Sequence, residues 1–124
     1  MKRVGILIMG IIMTGTSVFA VDRFESKKEK KAREIETKMM TEQAEQRGVR
    51  LIGLEKAKNT ALKAAGVNEN EIKYYKIKLD REDDVNPALY VYEIEFIHEG
   101  LEYEFEINGE NSEILKSDVD SWLD

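Results

Sequence analysis

From Val91 to Gly109 the chain reads VYEIEFIHEGLEYEFEING, an alternation of apolar residues and glutamates. A period of two predicts strands with one buried face. Glu99-Gly100 supplies a two-residue turn with Gly second, so Leu89–Ile97 and Leu101–Asn108 should form a hairpin. The register follows from that turn. Phe96 should face Tyr103, Ile94 face Phe105 and Tyr92 face Ile107, all on one side. On the other side Glu95 should meet Glu104 and Glu93 meet Glu106, with Glu102 beside Ile97. Like charges directly opposed across strands are destabilising.

Ile72–Asp80 alternates too, with Tyr75, Ile77 and Leu79 on one face and Tyr74, Lys76 and Lys78 on the other. Paired antiparallel with Leu89–Ile97, it would set Lys76 and Lys78 near Glu93 and Glu95 and offset part of the repulsion. Glu102, Glu104 and Glu106 lie one strand further off and should be less compensated. Arg81–Ala88 is a polar loop holding the single proline, Pro87. Glu113–Lys116 adds at most a short last strand, and Asp118–Asp124 is expected to be a tail containing Trp122 and Leu123.

Helical spacing governs the region before the sheet. In Gly53–Gly66, GLEKAKNTALKAAG, residues Leu54, Ala57, Ala61, Leu62 and Ala65 share a face. The alanines keep that face thin enough to lie close on a sheet. Gly66 suits a left-handed C-terminal position, which would bring Val67 against Leu62. Residues 21–50 form a charged helical extension. Its apolar positions, Phe24, Ala32, Ile35, Met39 and Met40, make only a thin stripe, so it should be largely solvated. The fold class is therefore α+β: one alanine-rich helix on a three- to four-stranded antiparallel sheet, after a charged helix.

Residues 1–20 change the picture of location. Lys2 and Arg3 precede the apolar run Val4–Met13, and Val18-Phe19-Ala20 offers small residues for cleavage, the pattern of an export signal peptide. The competing reading is a retained anchor. The uncharged stretch Val4–Val21 sits at the lower limit for a membrane span. Export implies a periplasmic, cell-envelope or secreted protein. The chain has no cysteine, which excludes a disulfide framework and thiolate metal sites.

Charge is unevenly placed. Residues 21–50 hold nine Lys/Arg against seven Asp/Glu, a net of +2, and residues 51–124 hold eight against eighteen, a net of −10. So acidic a domain repels phosphate backbones, which argues against nucleic acid and for a cationic protein partner or simple solubility. The candidate docking face is Glu93, Glu95, Glu102, Glu104 and Glu106. No catalytic, cofactor or metal residues are assigned. The single histidine, His98, flanks the turn, no nucleophile pattern accompanies it, and DREDD (Asp80–Asp84) lacks the spacing of a calcium loop. The alternating glutamates imply no pocket and no raised pKa.

Two stretches, LIGLEKAKNTALKAAGV (Leu51–Val67) and YEIEFIHEGLEYEFEINGENSEIL (Tyr92–Leu115), resemble the PepSY domain family over residues 51–118. The resemblance implies a helix packed on a small antiparallel sheet in an exported or envelope-associated bacterial protein. It also implies a non-catalytic module that restrains or regulates peptidases. The alternative is an envelope interaction protein with no peptidase target, contacting partners through Ile35 and Met39. The last turn departs from the family's usual Thr-Gly. Asn111-Ser112 stands there, and Asn111 is expected to take the left-handed conformation.

Overall fold

The computed structural model describes residues 25–72 and 74–121. The signal-peptide assignment, Phe24, and Trp122 and Leu123 of the expected tail lie outside the described residues. Two helices, α1 (Lys27–Gln46) and α2 (Leu54–Ala65), and a 3-10 turn at Glu69–Glu71 precede four strands. The strands are β1 (Tyr74–Glu82), β2 (Leu89–His98), β3 (Leu101–Asn108) and β4 (Ile114–Ser121). They form one antiparallel meander in chain order, β1-β2-β3-β4.

The central hairpin has the register set by its turn. Phe96 pairs with Tyr103, Ile94 with Phe105, Tyr92 with Ile107, Glu95 with Glu104 and Glu93 with Glu106. Glu99 and Gly100 adopt φ of 52° and 77°, the paired left-handed conformation whose twist matches a two-residue hairpin. Strand β1 joins with Lys76 opposite Glu95 and Lys78 opposite Glu93.

The inner face carries the core. Ala57 and Ala61 of α2 are fully buried with Leu62, on a floor of Ile77, Leu79, Tyr92, Ile94, Phe96, Phe105 and Ile107. A bare methyl at Ala57 and Ala61 lets the helix axis come close to the strands. Phe96 stacks on Tyr103, with centroids 5.0 Å apart. Helix α2 ends as its sequence implies: Gly66 takes φ 72°, and the Val67 amide donates to the Leu62 carbonyl at 3.0 Å. Leu54 departs from the expected face and is exposed, whereas Lys58 is buried. Its stem packs down while its ammonium reaches Glu69 at 2.7 Å and Glu55 at 3.1 Å, 5.2 Å from the Tyr75 ring centroid. The Glu69 hydrogen bond leads in raising the Lys58 pKa, with burial opposing it.

Helix α1 is largely solvated, as its thin apolar stripe implies, but one side of it packs against β1. Thr37 and Ala44 are buried there, and the Thr37 hydroxyl accepts a hydrogen bond from the Leu79 amide at 3.2 Å. The Arg33 guanidinium donates to the Ile77 carbonyl and to Glu25. These two side chains, one helical turn apart, occupy the edge groups that β1 would otherwise leave unpaired. The last strand is not a short one followed by a tail, because β4 runs to Ser121 and pairs Asp118–Ser121 with Leu101–Glu104. At the last turn Ser112, not Asn111, takes the left-handed conformation, at φ 69°. Asn111 instead uses its side-chain oxygen to accept from the Glu113 amide at 2.9 Å. An Asx-type bond of this kind fixes Asn111 without a positive φ and passes the strained position to its neighbour.

Candidate functional site

Period-two alternation sends the strand glutamates of the hairpin to the face opposite the helices. Glu93 and Glu95 of β2 stand directly across from Glu106 and Glu104 of β3, and Glu102 follows on the same side of β3. The flanking strands add Lys76 and Lys78 from β1, and Lys116, Asp118 and Asp120 from β4. All five residues of the expected docking face thus share one surface.

Compensation follows the strand order. Lys78 Nζ lies 3.6 Å from Glu93 Oε1. On the far side Lys116 Nζ lies 3.5 Å from Asp118 Oδ2, on its own strand. Asp118 and Asp120 stand opposite Glu104 and Glu102, so β4 adds negative charge beside them, whereas Lys76 and Lys78 of β1 stand opposite Glu95 and Glu93.

The glutamates are half-buried rather than fully solvated, because they stand shoulder to shoulder across paired strands. This overturns the expectation of ordinary carboxylates. Burial, then the charges of Glu95 and Glu102, push the Glu104 pKa up from 4.5 to about 7, with Lys116 opposing. Burial also pushes Glu93 to about 7, aided by Asp80 and Glu106 and opposed by Lys78. The sequence signal was the register itself, which predicted carboxylates in direct opposition. What it did not give was the depth at which neighbouring side chains enclose them.

A carboxyl group titrating near 7 has the right proton affinity for general acid-base work. The hollow beside these carboxylates is small. The hollow beside Glu93, Glu95, Glu104 and Glu106 holds only about 50 Å³, far below the roughly 300–1,000 Å³ of small-molecule sites. Carboxylate oxygens of Glu95, Glu102 and Glu104 lie within 4.8 Å of one another. Three carboxylate oxygens fall short of the six to eight that a calcium ion takes. The arrangement is chemically a broad, partly protonated anionic plate.

His98 ends β2 beside the turn, with Nε2 3.6 Å from Glu71 Oε1. In the DREDD segment Arg81 Nε pairs with Asp83 at 3.2 Å and lies over the Tyr90 ring. Ile35 and Met39 point away from the sheet, at 52% and 55% exposure. Sequence reasoning missed a groove of about 660 Å³ between α1 and α2, floored by Ile77 and Tyr92 and flanked by Arg33, Lys38 and Lys58. It exists because α1 leans on the β1 edge while α2 sits over the middle of the sheet. No helix among the described residues is long and apolar enough to cross a membrane.

The family model described as peptidase propeptide and YPEB domain (PepSY) matches residues 51–118. That range runs from the segment preceding α2 to Asp118 within β4. Among curated proteins and among solved structures, nothing matches the chain.

Proposed function

The chain belongs to the PepSY family, and on that basis we propose that it is a non-catalytic, exported module that docks on a secreted or envelope peptidase and restrains it. The observation that carries the reading is the anionic plate of Glu93, Glu95, Glu102, Glu104 and Glu106, which neither helix covers. Opposed carboxylates lower the stability of the isolated domain, and a cationic partner relieves that repulsion on contact. The family supplies the link to peptidases, and residues 1–20 supply the leader for export.

The test is inhibition. Purified protein is titrated into the envelope and secreted fractions of its own cells while peptide hydrolysis is followed at low salt. Wild type is expected to suppress one activity, and a Glu104→Lys/Glu106→Lys variant with an unchanged circular dichroism spectrum is expected to lose that effect. No suppression at any ratio would overturn the reading.

A second reading, an envelope interaction protein with no peptidase target, draws on the exposed Ile35 and Met39. Deleting α1 does not test it, since Arg33 and Thr37 hold the β1 edge. Ile35→Glu with Met39→Glu does, because both side chains leave the sheet contact untouched. Loss of envelope association in that variant, with inhibition absent in wild type, would favour the second reading.

A further inference from the structure

The two edges of the sheet are finished differently. At β1, Arg33 and Thr37 fill the backbone edge groups of Ile77 and Leu79. At the other end β4 is the terminal strand among the described residues, and helix packing concentrates on β1, β2 and β3. An uncovered terminal strand presents a row of backbone donors and acceptors to any extended segment.

We propose that β4 accepts a fifth strand from a protein partner, an extended segment whose side chains alternate between apolar and Lys/Arg. This rests on the reading that the protein works by binding another protein, and it specifies the partner's chemistry. The two faces of β4 dictate the alternation. On the inner side Val119 is 46% exposed and pairs with Tyr103, while Leu101, also exposed, pairs with Ser121. An incoming strand would lay its apolar residues beside this uncovered strip. On the outer side Asp118 and Asp120 stand opposite Glu104 and Glu102. The same strand would there turn its basic residues onto the anionic plate. Strand addition gives affinity through main-chain hydrogen bonds and selectivity through alternate side chains. A strand matching β4 in length needs about eight residues, roughly 26 Å of extended chain. A second copy fits poorly, because it would bring two domains of net −10 edge to edge.

The experiment uses the full chain and a dye-labelled, end-blocked peptide of alternating Val and Lys, eight residues long. Binding is read by fluorescence anisotropy at low salt. A peptide of the same composition with Val and Lys in separate blocks is expected to bind at least tenfold more weakly. N-methylating alternate amides in one phase should abolish binding, while methylating the other phase should be tolerated, because only one set of amides faces the sheet. Hydrogen exchange should slow at β4 amides and not at β1. Asp118→Lys should weaken the alternating peptide about tenfold, and Val119→Lys, on the opposite face, should do the same with the outer carboxylates intact.

Equal affinity for the blocked peptide, or equal tolerance of both methylation phases, would reduce the contact to non-specific charge attraction and overturn the proposal. Protection appearing in the interhelical groove, or dimerisation through β4 without peptide binding, would overturn it too. Strand addition at β4 with no peptidase inhibited would uphold this inference and remove the peptidase reading. Inhibition that persists in Asp118→Lys without peptide binding would do the reverse.

Discussion

Glu104→Gln should make the domain more stable at pH 8 and flatten its dependence on pH. In the folded chain the Glu104 carboxyl holds its proton up to about pH 7, against 4.5 ordinarily, because it is half enclosed and faces Glu95 and Glu102. The folded state therefore binds this proton more tightly than the unfolded state does. Its contribution is fully present below about pH 4.5 and is lost as the pH rises to about 7. At about 1.4 kcal/mol for each pH unit, a rise from 4.5 to about 7 sets a ceiling of roughly 3.4 kcal/mol. The side chain is only partly enclosed, and solvent screening brings the expected effect to about 1 kcal/mol. Glu93 carries the same sign, so the wild type should lose stability between pH 5 and 8 by about 1–2 kcal/mol in all. Glutamine keeps the size of the side chain and removes the charge. The assay is urea denaturation by circular dichroism at pH 5, 6, 7 and 8 for wild type, Glu104→Gln and Glu93→Gln/Glu104→Gln. The single variant should gain about 1 kcal/mol at pH 8 and nothing at pH 5, and the double variant should be nearly flat. A wild-type stability that rises from pH 5 to 8, or a Glu104→Gln variant less stable than wild type at pH 8, would refute the reasoning.

Ser112→Gly should stabilise by about 1 kcal/mol in the same assay, since a non-glycine residue at φ 69° is strained and the Ser112 hydroxyl is buried without a partner among the described residues; no gain would mean that the turn relaxes around serine. Thr37→Val should cost about 1–2 kcal/mol, because it keeps the shape while leaving the Leu79 amide without its acceptor, and exchange at that amide should accelerate. Gly109→Val should cost about 2 kcal/mol or more, as its Cβ would lie 3.0 Å from the Tyr90 carbonyl oxygen and 3.3 Å from Leu51 at a fully enclosed turn. Its thermal midpoint should fall by several degrees.

The hairpin was legible because alternation and turn chemistry agree. VYEIEFIHEGLEYEFEING leaves one register that buries Tyr92, Ile94 and Phe96 together, and Glu99-Gly100 fixes it. Helix α2 was legible for a similar reason, apart from Lys58, whose long stem lies along the apolar surface while its charge finds Glu55 and Glu69. The role of α1 was hidden because its contact with β1 is made by polar side chains. Arg33 and Thr37 hydrogen-bond the strand, and of the described residues of the apolar stripe only Met40 packs against the core, beside Ala44, while Ile35 and Met39 are exposed. The full β4 was hidden because KSDVDS has the composition of a turn. An edge strand outside the helix footprint has little to bury, so its sequence carries little of the usual signal.

The acidic face was legible as a list of residues but not as an energetic state, and the difference bears on function. Solubility needs net charge, and this chain already carries exposed glutamates at its turns, such as Glu99, Glu110 and Glu113. Those positions add charge without placing carboxylates opposite one another. The sheet instead sets Glu93 against Glu106 and Glu95 against Glu104, half enclosed, with two of the four held partly protonated near neutral pH. A cationic partner arriving at that face gains the Coulomb term and also returns each enclosed carboxylate toward its ordinary proton affinity. Binding should therefore release protons near pH 7, and the heat of association should vary with the ionisation enthalpy of the buffer. Calorimetry of a bound basic segment in phosphate and in Tris at pH 7 reads that release directly. Identical heats in the two buffers would mean that the partner never engages Glu93 or Glu104, and the plate would then serve only to keep the domain dispersed.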